Sequence, residues 1–97
     1  MQLLSCETFA GRANETFDVG VGESSLPMTL VQVQPLQIHA YAGMMRAPFA
    51  LTFKSQSPVL LPQKTYRMKN ETLGAVDIFL VPIGRDASGI LYQAVFN

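Results

Sequence analysis

Apolar residues return at every second position in one short run after another along this chain, and nowhere do they keep helical spacing for three turns. FALTF, Phe49 to Phe53, sets the pattern. Phe49, Leu51 and Phe53 fall on one side and Ala50 and Thr52 on the other, as in a strand with one buried face. MTLVQV, Met28 to Val33, mixes branched and polar residues in the same way, and TYRMK sends Tyr66 and Met68 inward and Thr65, Arg67 and Lys69 outward. ETFDVGVG reads as a further strand that brings Phe17 and Val19 to the core. VDIFLVP and ILYQAVF flank the stretch IGRDASG, whose Asp, Ser and two glycines between Gly84 and Gly89 are the composition of a hairpin turn with positive backbone angles. NETLG, Asn70 to Gly74, is a second turn. The six prolines, at 27, 35, 48, 58, 62 and 82, stand where strands begin or end, because proline has no amide hydrogen to give to a ladder.

The pattern predicts an all-β chain, a small antiparallel barrel or sandwich of about six to seven strands. SCETF adds one short helical turn near the N-terminus, with Ser5 or Thr8 as its cap. Residues 1–97 form a single domain with no linker and no internal repeat in the sequence. The run ILYQAVF places Ile90, Tyr92, Ala94 and Phe96 on one side and Leu91 and Val95 on the other. A strand apolar on both sides belongs between neighbours or against a covering surface, so it is expected inside the sheet and not at an exposed edge.

At 97 residues and 48% hydrophobic, the chain can build one core without metal or disulfide. Cys6 is the only cysteine and reads as a small residue tucked beside the first core aromatic. Charged residues make up 14%, well under the roughly 25% of an ordinary soluble domain. Seven basic residues balance seven acidic ones, which leaves no global field to draw in nucleic acid or an anionic membrane and little protection against self-association. The expected partner is another copy of the chain or another protein. No basic leader and no apolar run of about 18 residues is present, so a cytoplasmic protein is expected.

Catalytic signals are sparse. His39 is the sole histidine, Asp18, Asp77 and Asp86 are scattered, and no serine sits in a nucleophile elbow. No spacing of His, Cys, Asp and Glu matches a zinc site or a calcium loop, and no cofactor is expected. GRDASG lacks the following helix that a phosphate cradle needs, and reads as a hairpin loop. Lys64, Arg67 and Lys69 read as a solvated outer face; Tyr66 points away from them, so they make no stacking platform for single strands. Asn14-Glu15-Thr16 and Asn70-Glu71-Thr72 fit the glycosylation pattern but read as polar turns. The segment YAGMMRAPF is different: Met44 and Met45, with Tyr41 and Arg46, put flexible apolar groups where solvent is expected, and are the candidate partner contact. The competing reading folds both methionines back over the core.

FALTFKSQSPVLLPQKTYRM, LGAVDIFLVPIG and YQAVFN together resemble a small bacterial domain family of unknown function, about a hundred residues long. Its pattern is close to F-x-L-x-F, L-P-Q-x-x-Y, L-G-x-x-x-(I/L)-F-L-V-P-(I/V)-G and Y-(E/Q)-A-V-F-N. Here the matching residues are Phe49, Leu51 and Phe53; Leu61, Pro62, Gln63 and Tyr66; Leu73 and Gly74; Ile78 to Gly84; and Tyr92 to Asn97. The first half is covered thinly, through Phe9, Gly11 and Phe17. Lys64 stands where the family more often has Gly, and Gln93 where it has Glu. The resemblance implies a compact β domain with no established activity, and a loose association with phage-tail-like and tail-collar proteins.

Three functions are then in view. The first is a non-catalytic structural or interaction module in an oligomer or larger assembly. The second is a barrel that binds a small molecule, with Tyr41, Tyr66, Phe53 or Phe79 lining its cavity. An enzyme comes third, and needs Asp77, Asp86 or Tyr92 to converge with His39 in a cleft.

Overall fold

The computed structural model describes residues 5–36 and 48–96. Along the chain run Cys6–Ala10 (α1), Thr16–Val21 (β1), Ser24–Pro35 (β2), Phe49–Ser55 (β3), Lys64–Asn70 (β4), Gly74–Asp86 (β5) and Gly89–Phe96 (β6). The six strands close into an antiparallel barrel in the order β1-β2-β3-β6-β5-β4, with β4 returning to β1. The alternating pattern thus gives a barrel, and SCETF gives the short helix. Ser5 is its N-cap, and the Ser5 amide donates to Thr8 Oγ1 at 3.1 Å.

The two halves of the barrel repeat one path. β1, β2 and β3 are consecutive neighbours, and so are β4, β5 and β6. The middle strand of each trio is the long one. Its first part pairs with the strand before it and its second part with the strand after it, and each carries one irregularity, between Leu30 and Gln32 in β2 and between Pro82 and Gly84 in β5. A bulge of this kind raises local twist and lets a long strand bend around a small barrel. No sequence likeness accompanies the repetition, because only the period of burial has to recur, not the residues.

The bulge also explains one departure from the sequence pattern. Gly84 lies inside β5 opposite Leu91, and the turn is confined to Ala87 and Ser88. Six-residue turns and two-residue turns flanked by a bulge share the same glycine-rich composition.

Inward residues fill the barrel. Phe17, Val19, Met28, Leu30, Leu51, Phe53, Met68, Ile78 and Leu80 are all buried, as the alternation predicts. Phe9 on α1 plugs one end, with its ring 6.0 Å from Phe49 and 5.9 Å from Phe96, and Phe49 and Phe96 stack at 4.6 Å. Cys6 is half-buried against this cluster, an unpaired thiol close to the first core aromatic as expected.

The crossover from β3 to β4 joins strands that are not neighbours, and two tyrosines hold it in place. Tyr66, at the start of β4, donates its hydroxyl to the Pro62 carbonyl four residues upstream at 2.6 Å, the geometry of a tyrosine corner. The Tyr92 hydroxyl accepts from the buried Leu61 amide at 3.0 Å and lies 3.5 Å from the Val59 carbonyl. Tyr92 is fully buried on β6, which sits between β3 and β5 as its two apolar faces demand. At the β4–β5 turn, Asn70 Oδ1 accepts from the Thr72 and Leu73 amides while its Nδ2 donates to Glu15 and to the Thr16 carbonyl. This sequon asparagine is therefore a buried structural knot.

Candidate functional site

The residues proposed for chemistry stand apart. Asp77 lies on the outer face of β5, with Oδ1 3.2 Å from Arg67 Nε. Asp86 ends the same strand at the hairpin, and Tyr92 is committed inside the barrel to the crossover loop. His39 lies outside the described residues. Among the described residues no three His, Cys, Asp or Glu side chains are placed to hold a metal ion.

Asp86 is a turn clamp. Its Oδ1 accepts from both the amide and the hydroxyl of Ser88 at 2.8 Å, and Oδ2 lies 3.2 Å from Lys54 Nζ, which reaches across β6 from β3. The Ser88 hydroxyl, the Ser88 amide and then Lys54 hold this exposed carboxyl down to about 2. A depressed acid stabilises the fold above the unfolded-state value near 4 and loses that contribution as pH falls toward 2. Asp86→Asn is accordingly expected to be less stable than the parent at pH 6, with the gap in urea midpoint closing between pH 4 and pH 2. Parallel curves across that range would show that the clamp carries no stability. Beside it lies a shallow cleft of about 210 Å³, edged by Gln56, Ser57, Pro58 and Arg85.

The basic strand is also quieter than its sequence suggests. Arg67 is paired with Asp77, and Lys64 falls on the Tyr66 side of β4, where its ammonium stands 5.3 Å from the centre of the Tyr66 ring. Lys69 borders a polar groove of about 550 Å³ with Asp18, Gly20 and Glu23. Opposite charges are interleaved there, so no single-sign stripe forms.

Of the residues suggested for a ligand cavity, Phe53 is buried, its ring edge-on to Phe17 at 5.3 Å, and Tyr66 is buried at the corner. Phe79 is 49% exposed on the outside of the barrel. The sequence holds the signal for this: Phe79 shares strand parity with the solvated Asp77, while Ile78 and Leu80 on the other parity are buried. Tyr41, Met44, Met45 and Arg46, the candidate partner contact, lie outside the described residues.

The structure adds an apolar surface that the sequence reading passed over. Phe79 and Ile83 on β5 and Val95 on β6 are each about half exposed; the half-buried Val81 lies between Phe79 and Ile83, and Gln93 opposite it lies between the half-buried Leu91 and Val95. Residues 78–84 and 87–97 contain no charged side chain. Across the barrel end, Val59 and Leu60 of the crossover loop stand 59% and 58% exposed. Covering the free half of such a side chain is worth about 1 kcal/mol. What the outer surface can do chemically is bury apolar area.

No helix among the described residues is long and apolar enough to cross a membrane. No curated protein and no solved structure significantly matches the chain. Residues 4–96 match the family described as a domain of unknown function, DUF6916, and the chain belongs to that family.

Proposed function

We propose that this domain is a non-catalytic interaction module that works by surface contact within an oligomer or a larger assembly, in the cytoplasm or in an assembled particle such as the phage-tail-like setting the resemblance implies. One observation carries the reading: Phe79, Ile83 and Val95 hold half-exposed apolar side chains on two adjacent strands, within the stretches 78–84 and 87–97 that carry no charge. Several large apolar side chains exposed on adjacent strands favour a contact surface, and a chain of zero net charge does not repel its own copies. Tyr41, Met44, Met45 and Arg46 are proposed, on sequence grounds, as a further contact of the same kind.

The magnitudes make the association weak. A handful of half-exposed side chains at about 1 kcal/mol each stands against about 4 kcal/mol or more for lost rigid-body freedom. Light scattering from about 10 μM to about 1 mM detects an association with a net worth of about 4 kcal/mol or more. The weight-average mass is expected to rise from 10.6 kDa across that range. Phe79→Ser with Val95→Ser should move the rise about thirtyfold higher in concentration. A parent protein that stays monomeric throughout would end the self-association form of this reading.

A further inference from the structure

We infer that the cleft beside the β5–β6 hairpin binds a small oxyanion, a carboxylate or phosphate group, with Arg85 as its anchor. The inference is independent of the apolar surface and of self-association.

The bulge in β5 places the arginine. Residues directly opposite each other in an antiparallel pair share a face. Before the bulge, Pro82 stands opposite Tyr92, whose side chain fills the barrel interior. Unbroken alternation from Pro82 would set Gly84 and Asp86 on that inner side and turn Arg85 outward. The register shift between Pro82 and Gly84 reverses this. Arg85 stands opposite Ile90, and Ile90 opposite Ser55, both of them buried. Arg85 thus extends the inner row of the barrel past its end, where Gln56 and Ser57 open the crossover loop, while Asp86 falls on the outer side with Lys54. Re-aiming one side chain is a recurrent use of bulges beside functional sites.

The cleft of about 210 Å³ formed there holds uncommitted donors. Arg85 is exposed and makes no hydrogen bond or ion pair among the described residues, and the same holds for the Gln56 side chain. Ser57 Oγ accepts from the Val59 amide, which leaves its own proton to donate. The carboxylate on the rim, Asp86, is already committed, with Oδ1 on Ser88 and Oδ2 beside Lys54. Arg85 and Lys54 against Asp86 leave the site one positive charge. A cation is repelled there, and an apolar ligand would strip the guanidinium of water without replacing it. The planar fork of an arginine instead matches two oxygens of a carboxylate or phosphate with parallel N–H donors. The Asp86–Ser88 clamp holds the turn, so the site is formed before the ligand arrives.

Backbone-amide NMR tests the assignment with two probes, sodium acetate and sodium phosphate, each at pH 7 and at constant ionic strength in sodium chloride. A few charge-assisted hydrogen bonds at an open cleft give half-saturation at about 1–10 mM. Saturable shifts are expected at residues 56–57 and 85–89 with at least one probe, and the tighter of the two tells whether the natural group is a carboxylate or a phosphate. Arg85→Gln removes an exposed side chain without a fold contact, and should abolish the saturation while the rest of the spectrum stays as in the parent. Arg85→Lys keeps the charge but loses the fork, and should weaken binding about tenfold. Lys69→Gln, at a cation in a different groove, should leave it unchanged. Shifts that stay linear to about 100 mM with both probes, or that survive Arg85→Gln, overturn the site.

Discussion

A chain cut after Leu91 is expected to be unfolded, not merely shortened. The cut removes the β6 residues that pair with Phe49, Ala50, Leu51, Thr52 and Phe53 of β3, and those opposite Val81 and Pro82 of β5. Three consequences add. Tyr92 is fully buried and among the largest core side chains, and truncating a core aromatic alone costs about 3–5 kcal/mol. Its hydroxyl is also the partner of the buried Leu61 amide, so the crossover loop loses its anchor. Phe49 loses the stacked Phe96 ring, and the inward side of β3 becomes an open apolar edge. A domain of this size has about 5–15 kcal/mol in all, and these losses together with the broken β3–β6 pairing are of that order. Far-ultraviolet circular dichroism without a strand signal, together with aggregated or expanded material on gel filtration, is the expected result. A folded, soluble, monodisperse product would mean that β3 and β5 close the barrel without β6.

Local alternation made most strands legible, because burial on one face of a strand writes itself at every second residue. Phe49, Leu51 and Phe53 in β3 and Tyr66 and Met68 in β4 show it plainly. The same rule fails where both parities are apolar. In VDIFLVP, Phe79 looked as fit for the interior as Ile78, and only its shared side with Asp77 separates them. Strand lengths were less legible. β2 begins at Ser24, ahead of the branched run, because it is held by pairing with Val21 across the hairpin, and exposed Ser24 and Ser25 need no apolar side chain for that.

Closure was not legible at all. Barrel and sandwich differ by the junction of β1 with β4, which consists of Asp18 opposite Lys69 and Val19 opposite Met68. No periodicity records which strand meets which. The LLPQKTY stretch became intelligible only when Leu61 was seen buried, with Pro62 and Tyr66 joined by one hydrogen bond. The candidate surface lies between these cases. Its charge-free segments were visible in the sequence, but which of its apolar side chains face outward is a property of pairing.

Gly89→Ala should be the most damaging glycine-to-alanine change among the described residues. Among the described residues only Asn14 departs from negative φ without being glycine, so Ala87 and Ser88 make the two-residue turn with negative angles. Such a turn does not match the twist of the strands it joins. The mismatch is absorbed one residue later, by Gly89 at φ +153°, in a region that side chains rarely enter. A methyl group there would lie 2.1 Å from the Ser55 carbonyl oxygen and 2.9 Å from its carbon. Both are backbone atoms of β3, the strand that pairs with β6 at Ser55 and Ile90, so neither can move aside without breaking that pairing. Backbone strain of about 1–3 kcal/mol and overpacking of about the same size combine to roughly 3–5 kcal/mol. Gly74→Ala is the matched control: it also has positive φ, +77°, but nothing lies within 4 Å of the added methyl. It carries the conformational cost alone, about 1 kcal/mol. Urea unfolding should therefore rank the parent above Gly74→Ala and place Gly89→Ala far below both. Equal midpoints for the two variants would mean that the close approach of Gly89 to Ser55 does not constrain the hairpin.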